Sequence, residues 1–390
     1  MLELLFLLLP IAAGYGYIMG RNSVRQAQQK TSSILSRHYF KGLNFLLSDQ
    51  PDKAVDTLIK MVDINNDNVD THIAMGNFFR HRGELDRAIK VHQNLVDKKD
   101  IEIKQREQAL FELGRDFALA GFLERAENAF LSLLKSEKYF LQAQQQLFGI
   151  YQTTKEWDRA VELAESMVNS HGDSEELAQR IAHFYCEQAE ILADHEELKE
   201  AEKCLQKAIF SDEHCVRPWL KLAELAMSEG KYDNAFSYLE QVPQRDVVWF
   251  SEAVPMLWEC AEKTGNWPQL KQLLEAYSER CATAYLATVK LLSKDQSAEA
   301  AAEFLLQQIK KSPSMKGFHT LLGLYAQRKN MATETLESLT MLQELIQVQL
   351  DMRPKYRCHN CGFSGRKVHW LCPSCKHWGL MKPIKGLDGD

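Results

Sequence analysis

The sequence lacks the short motifs that mark common hydrolases and nucleotide-binding enzymes. No G-x-x-x-x-G-K-[ST], no H-E-x-x-H and no G-x-S-x-G occurs in its 390 residues. An excess of positive charge is also missing, because the net charge is −6. Nucleic-acid binding has no electrostatic support at that charge. The sequence therefore favours a non-enzymatic protein with no nucleic-acid partner.

A disulfide framework is poorly supported as well. Only nine cysteines are present, and four of them form two closely spaced pairs near the end of the chain. The other five are an odd number scattered through helical segments: Cys186, Cys204, Cys215, Cys260 and Cys281. This usage is typical of a reducing compartment. We interpret the five scattered cysteines as small buried apolar residues.

A long apolar run opens the sequence and predicts a membrane-spanning helix. Residues 4–20 carry no charged side chain, and Glu3 is the only charged side chain before them. With the first three residues, this run approaches the ~20 residues that a helix needs to cross the hydrocarbon core. We therefore predict a transmembrane anchor over residues 1–20.

The basic residues that follow this run indicate its orientation. Arg21, Arg25 and Lys30 lie in a juxtamembrane segment over residues 21–34, whereas a secretory signal peptide begins with its basic residues. By the positive-inside rule, we expect the short N-terminus outside and the rest of the chain in the cytoplasm. A cleaved signal peptide is the alternative, because residues 12–14 resemble a cleavage site.

Pairs of small residues twelve positions apart recur through the middle of the chain. Four clear pairs and two looser ones are Gly42/Ala54, Gly76/Ala88, Gly114/Ala126, Ala223/Ala235, Phe148/Ala160 and Ala189/Ala201. Their second members are 34, 38, 34, 41 and 34 residues apart in chain order. A period of 34 residues with helix–turn–helix character is similar to the tetratricopeptide repeat.

This spacing has a reason in helix packing. A small residue on each helix, at the point where the two helices cross, lets their backbones approach closely. Divergent periodic segments continue beyond these pairs, so we predict about nine repeats over residues 35–352. The predicted fold is all-α, a superhelix whose inner surface binds protein segments, with a spacer that binds nothing as the alternative.

The two cysteine pairs predict a metal site over the last residues. Cys358 and Cys361 are separated by ten residues from Cys372 and Cys375. Two such C-x-x-C pairs can surround one tetrahedral ion, and four thiolates leave no open position for catalysis. A module over residues 353–390 is too small to bury a sufficient core, so the metal would contribute much of its folding free energy. We predict one structural iron or zinc ion.

The same module is basic and rich in aromatic residues. We predict that its basic residues, with Trp370 and Trp378, dock the module onto the repeats or onto an acidic partner. His359, His369 and His377 lie close enough in sequence to compete as metal ligands. The symmetry of the two cysteine pairs favours a set of four cysteines over a set that includes histidine.

The opening residues 1–10, the segment 183–187 and the metal module with its tail 382–389 resemble the lipopolysaccharide assembly protein B family of Gram-negative bacteria. The resemblance covers the whole chain. It implies a single-pass inner-membrane protein with a periplasmic N-terminus, cytoplasmic repeats and a small rubredoxin-like, zinc-ribbon-like metal domain. The four cysteines of the module match the metal ligands of the family one for one.

The resemblance also implies a function and partners. Proteins of this family regulate lipopolysaccharide synthesis by promoting proteolysis of the deacetylase that commits material to lipid A. They act with a membrane-anchored AAA metalloprotease, are linked to lipopolysaccharide transport proteins, and are restrained by an inner-membrane regulator. The sequence leaves a homodimer open.

One departure from rubredoxins bears on an alternative function. Lys376 stands after the second pair where rubredoxins have glycine, and the span between the pairs is shorter. The departure argues against a redox or oxidant-sensing protein on a repeat scaffold, which is the alternative to a structural metal site.

Overall fold

The computed structural model describes residues 19, 69–171, 175–295, 297–327, 332–387 and 389. Except for Met19, which is helical, the predicted anchor lies outside the described residues, as do the juxtamembrane segment and the first repeat pair. In the described part of the chain, no helix has both the length and the apolar composition needed to cross a membrane. The chain divides after Lys155 into two compact units, here called unit 1 and unit 2.

The described part of unit 1 consists of consecutive helices. They are α1 (Val69–His81), α2 (Leu85–Asp97), α3 (Ile103–Leu119), α4 (Leu123–Leu133) and α5 (Phe140–Thr154). Gly83 and Gly121 close the turns after α1 and α3 with φ of 78° and 81°. The next N–H then returns to a carbonyl five residues back, at 2.9 Å in both turns. This is the helix ending expected of glycine.

The small residues of the repeat pattern lie where helices cross. Ala88 and Ala126 are fully buried. A Cβ atom built on Gly76 of α1 would clash with the His92 ring of α2, and one on Gly114 would lie 2.8 Å from the Phe130 ring. Glycine at these two positions therefore lets the paired helices approach, as the twelve-residue spacing predicted.

A buried polar network links three helices of unit 1. The Nδ1 atom of His92 lies 2.6 Å from a carboxylate oxygen of Asp116, and both side chains are fully buried. Arg80 donates to the other oxygen of Asp116 at 3.0 Å and to Glu112 at 2.6 Å. Because each buried charge has a partner, the network fixes how the helices pack.

Unit 2 continues the helices and ends in a small sheet. Its helices are α6 (Trp157–His171), α7 (Glu175–Asp194), α8 (Leu198–Ser211), α9 (Arg217–Ser228), α10 (Tyr232–Arg245), α11 (Phe250–Thr264), α12 (Trp267–Tyr277), α13 (Ala282–Asp295), α14 (Ala298–Lys311), α15 (Met315–Ala326) and α16 (Thr333–Met352). A 3₁₀ turn, Val247–Trp249, connects α10 to α11. The strands are β1 (Tyr356–Cys358), β2 (Ser364–Gly365) and β3 (Met381–Pro383).

The core of unit 2 extends from the helices into the sheet. Ala201 and Ala235, both predicted to lie at helix crossings, are fully buried. One apolar cluster of this unit runs from α9 to α13 and includes Tyr356 of β1 and Met381 of β3. The terminal module therefore shares its core with the repeats, although it is too small to build one alone. The described helices and this module agree with an all-α repeat fold that ends in a cysteine-rich ribbon.

Candidate metal centre

A three-stranded antiparallel sheet holds the two cysteine pairs. β1 lies between β2 and β3, and Cys358 at the end of β1 stands opposite Met381 of β3. An isolated antiparallel bridge joins Leu371 to Trp378 on either side of the second pair. Each cysteine pair thus occupies the turn of a short hairpin, and the two turns face each other.

The two turns have the same backbone conformation. The N–H of Gly362 donates to the Cys358 carbonyl at 3.0 Å, and the N–H of Lys376 donates to the Cys372 carbonyl at 2.9 Å. Gly362 has a φ of 76° and Lys376 a φ of 58°, so both are left-handed. The lysine therefore adopts the left-handed conformation that glycine adopts in the first turn of this chain, and the departure in sequence leaves the left-handed turn intact.

The four cysteine sulfurs lie close enough together to hold one ion. All four lie within 4.8 Å of one another. Cys358 Sγ is 3.7 Å from Cys375 Sγ, and Cys361 Sγ is 3.6 Å from Cys372 Sγ. A tetrahedral ion with metal–sulfur bonds of ~2.3 Å requires sulfur separations of about 3.8 Å. These spacings are much too long for disulfides, so the donor set fits a single zinc or iron ion.

The surroundings of the sulfurs favour thiolates on the exposed side. Hydrogen bonds from the Asn360 side chain and the His377 backbone N–H lower the pKa of the Cys375 thiol to about 5. A backbone hydrogen bond also lowers the pKa of Cys361. Burial raises the pKa of Cys372 to about 11. Because metals bind the thiolate, metal binding must release a proton from Cys372 at neutral pH.

Trp378 packs against helices of the repeats. Its ring stacks on His183 of α7, with centroids 5.1 Å apart and an angle of 20° between the planes. It also meets the ring of Phe184 edge-on at 5.8 Å and that of Trp157 at 6.1 Å. These contacts bury Trp378 to 5% exposure. One face of the second cysteine hairpin is therefore covered by α6 and α7.

Trp370 packs at the other side of the same hairpin. It stacks on Trp249 of the 3₁₀ turn at 4.5 Å between centroids, with 21° between the planes. The guanidinium of Arg217 lies 5.6 Å from the Trp370 centroid, within range of a cation–π contact. Trp157, His183, Phe184 and Trp249 are called the aromatic seat below.

One charged side chain beneath the aromatic seat, that of Arg217, is almost completely buried. Arg217 is 1% exposed, and its Nη2 atom contacts Glu187 at 2.8 Å and Glu190 at 3.0 Å. Burial, together with the positive charge of Arg217, holds the pKa of His183 well below its usual range. His183 is therefore neutral at physiological pH and stacks on Trp378 as an uncharged ring.

Two polar contacts tie the sheet to the repeats. The Tyr356 hydroxyl donates to Glu252 of α11 at 2.8 Å. Lys382 of β3 forms an ion pair with Asp246 at 2.7 Å, and the same aspartate accepts a hydrogen bond from the Val248 N–H. The basic residue Lys382 thus meets an acid within the repeats of the same chain.

Sequence reasoning singled out Trp370, Trp378 and the four cysteines, and missed the surface that receives them. His183 belongs to the segment 183–187 that carries the family resemblance, but nothing local indicates that its ring stacks on a tryptophan. Trp249 and Arg217 gave no signal, because each lies on a repeat helix or turn where an aromatic or basic residue is unremarkable. Their role depends on a contact between distant parts of the chain.

Comparison with known proteins agrees with this architecture. A family model described as rubredoxin metal binding domain matches residues 356–383. Two tetratricopeptide-repeat models match residues 71–102 and 186–246. A solved structure of Naa15/Naa10 bound to HypK-THB is 13% identical, covers 81% of this chain and 47% of that chain, and has a TM-score of 0.43.

Two curated relatives match along their entire length. Lipopolysaccharide assembly protein B of Escherichia coli strain K12 is 38% identical over 393 residues, and its counterpart in Haemophilus influenzae is 37% identical over 399 residues. Each alignment covers 100% of both chains. The prediction of a non-enzymatic repeat protein agrees with these relatives. The chain belongs to the lipopolysaccharide assembly protein B family.

Proposed function

We propose that this chain is a non-enzymatic, membrane-tethered adaptor in lipopolysaccharide synthesis and assembly. The observation that carries this proposal is the full-length match to relatives named lipopolysaccharide assembly protein B. The repeat helices support it, because stacked helix pairs of this kind present extended surfaces that bind protein segments. The partners are therefore proteins of the lipopolysaccharide pathway.

The proposed mechanism is co-localisation. The repeats hold the lipid A pathway deacetylase, and an anchor over residues 1–20 keeps it beside a membrane-anchored AAA metalloprotease at the inner membrane. Tethering raises the effective concentration of client at the protease without new chemistry, into the millimolar range for short tethers. Lipopolysaccharide transport proteins and an inner-membrane regulator are the further proposed partners, with the repeats and the module in the cytoplasm.

The proposed role of the metal is structural. Cys358, Cys361, Cys372 and Cys375 would coordinate one zinc or iron ion, and that ion would stabilise the fold of the module. The docking of Trp370 and Trp378 in the aromatic seat supports this role, because a correctly folded module completes the core of unit 2. Visible absorption of the purified chain distinguishes iron from colourless zinc.

The tethering mechanism is tested by deleting residues 1–20 and expressing the shortened chain at native abundance. We expect the shortened chain still to bind the deacetylase. Deacetylase turnover should be at least about tenfold slower than with the full chain, because the effective concentration of client at the protease is lost. The measurement is the half-life of the deacetylase after synthesis is stopped, alongside co-purification of the two proteins.

The matched control carries an unrelated single-pass anchor in place of residues 1–20. We expect this control to restore turnover, since the proposal requires membrane attachment and no particular anchor sequence. Normal turnover with the soluble form would show that tethering is unnecessary.

A further inference from the structure

The outer face of α16 is apolar and uncovered. Its inner face packs against α15, where a Cβ atom on Gly323 would lie 2.9 Å from the amide nitrogen of Gln343. The inner positions Leu339, Ile346 and Leu350 are partly buried. The structure describes every residue of α16, and none of them is fully buried. Apolar side chains on the opposite side of this helix point away from the face that α15 covers.

These outward side chains form a stripe. The members of this outer stripe, with their exposed fractions, are Met341 (64%), Leu345 (54%), Val348 (52%) and Met352 (70%). They follow one another at intervals of four, three and four residues, the spacing of the a and d positions of a coiled-coil heptad. Leu342, 51% exposed, lies beside them. A solenoid normally ends in a helix with a polar outer face, so the outer stripe departs from an ordinary cap.

Acidic residues flank the outer stripe with the same period. Glu337, Glu344 and Asp351 are spaced by seven residues and occupy the g positions next to the stripe. All three are exposed, and no basic side chain in the described part of the chain pairs with them. Helix α16 itself contains no lysine or arginine. One edge of the stripe thus carries uncompensated negative charge.

The charge pattern decides between occupants. A second copy of this helix would bring no basic residue to the acidic row in either direction, and an antiparallel pairing would set the row against itself. A helix with its own apolar a and d stripe, flanked by lysine or arginine, would cover the apolar side chains and neutralise the row. We propose that the outer stripe of α16 is a docking site for a basic amphipathic helix of a partner protein.

The inference assigns a partner surface to the proposed adaptor and in that sense rests on its function. The two claims fail separately. Binding of a helix to α16 is measured without any client or protease, whereas the anchor deletion measures client turnover and leaves α16 unchanged.

The test uses the full chain in phosphatidylcholine nanodiscs and two labelled peptides of three heptads. Both peptides carry leucine at a and d, one carries lysine at e and g, and the other carries glutamate there. We expect the lysine peptide to bind about tenfold more tightly than the glutamate peptide, as measured by fluorescence anisotropy. Its binding should weaken in high salt. Equal affinity for the two peptides, or equal binding of the lysine peptide to empty nanodiscs, would overturn the proposal.

Variants separate the apolar from the electrostatic contribution. Leu345→Ser with Val348→Ser should weaken binding of the lysine peptide by at least about tenfold. Thr340→Ser, at an exposed position outside the stripe and the acidic row, should leave the affinity unchanged. Reversal of the acidic row by Glu337→Lys, Glu344→Lys and Asp351→Lys should transfer the preference to the glutamate peptide. Circular dichroism checks that each variant is folded.

The remaining occupant is a second copy of the chain. Sedimentation equilibrium of the full chain without peptide measures self-association. A dimer that dissociates in Val348→Glu, with no peptide binding to the monomer, would replace the basic helix by a second copy and refute the assignment made here.

Discussion

Among single residues, Lys376 and Gly362 show how the same turn is built from different side chains. Both follow the second cysteine of a pair and both have left-handed backbone, with φ of 58° and 76°. A left-handed conformation costs a residue with a Cβ atom roughly 1–2 kcal/mol, whereas glycine adopts it without that cost. The second turn therefore carries a strain that the first turn avoids.

This difference predicts opposite effects of two substitutions. Lys376→Gly should stabilise the metal-loaded module by about 0.5–1 kcal/mol, because relief of strain exceeds the added flexibility of glycine. Gly362→Ala should destabilise it by about 1 kcal/mol, since a Cβ atom there meets nothing within 4 Å and only the backbone is strained. The rate of metal release to a chelator reports both changes. A slower release from Gly362→Ala than from the native chain would contradict this account.

The four metal-binding candidates were predictable from the sequence because their spacing is local. Cys358 and Cys361 share one turn, as do Cys372 and Cys375, and such a turn brings its two sulfurs together wherever the rest of the chain lies. His183 was not predictable in the same way. Its contact with Trp378 joins residues far apart in the chain, and no local pattern encodes that pairing.

Among helices, the close approach of α1 and α2 depends on the absence of a side chain at Gly76. The His92 ring fills the space where a Cβ atom would lie, and its hydrogen bond to Asp116 at 2.6 Å holds the ring in place. Gly149 of α5 is different, because a Cβ atom there would meet nothing within 4 Å. The same residue type therefore serves packing in one helix and not in the other.

We expect Gly76→Ala to lower the free energy of unfolding of unit 1 by about 2 kcal/mol through overpacking. Gly149→Ala is the matched control and should raise it by about 0.5–1 kcal/mol, since alanine is the better helix former. Hydrogen exchange of the amides in α1–α5 measures both effects in the full chain. Equal effects of the two substitutions would show that the crossing tolerates a Cβ atom.

Periodicity predicted the helices well and their surroundings less well. The twelve-residue spacing identified the crossings at Gly76 and Gly114, because packing two backbones imposes a direct demand on residue size. The outer stripe of α16 has helical periodicity too, and by pattern alone it is indistinguishable from a buried face. Only the arrangement of neighbouring helices shows that this stripe is exposed.

At the scale of the whole molecule, the metal module and the repeats of unit 2 share one apolar core. The apolar cluster that begins in α9 includes Tyr356 and Met381 of the sheet, and Trp370 stacks directly on Trp249. Loss of the metal should therefore lower the local stability of helices that contain no metal ligand.

We expect Cys358→Ser with Cys372→Ser to unfold the module and to lower the hydrogen-exchange protection of α7 and α11 by at least about tenfold. Helix α3 in unit 1 should keep its protection. Removal of metal from the native chain by a chelator should change the protection of the same helices. Cys204→Ser, outside the metal site, should leave their protection unchanged. Unchanged protection of α7 and α11 in the double variant would show that the repeats remain folded without the folded module.

The order of synthesis gives the aromatic seat a further consequence. Trp157 and Trp249 leave the ribosome before Trp370 and Trp378, which lie more than a hundred residues later in the sequence. Until Trp370 and Trp378 emerge, the nascent protein exposes indole and phenyl rings that these two tryptophans later cover. A product that terminates before the module keeps this apolar surface exposed, so chaperones and quality-control proteases can distinguish it from a chain that carries the module.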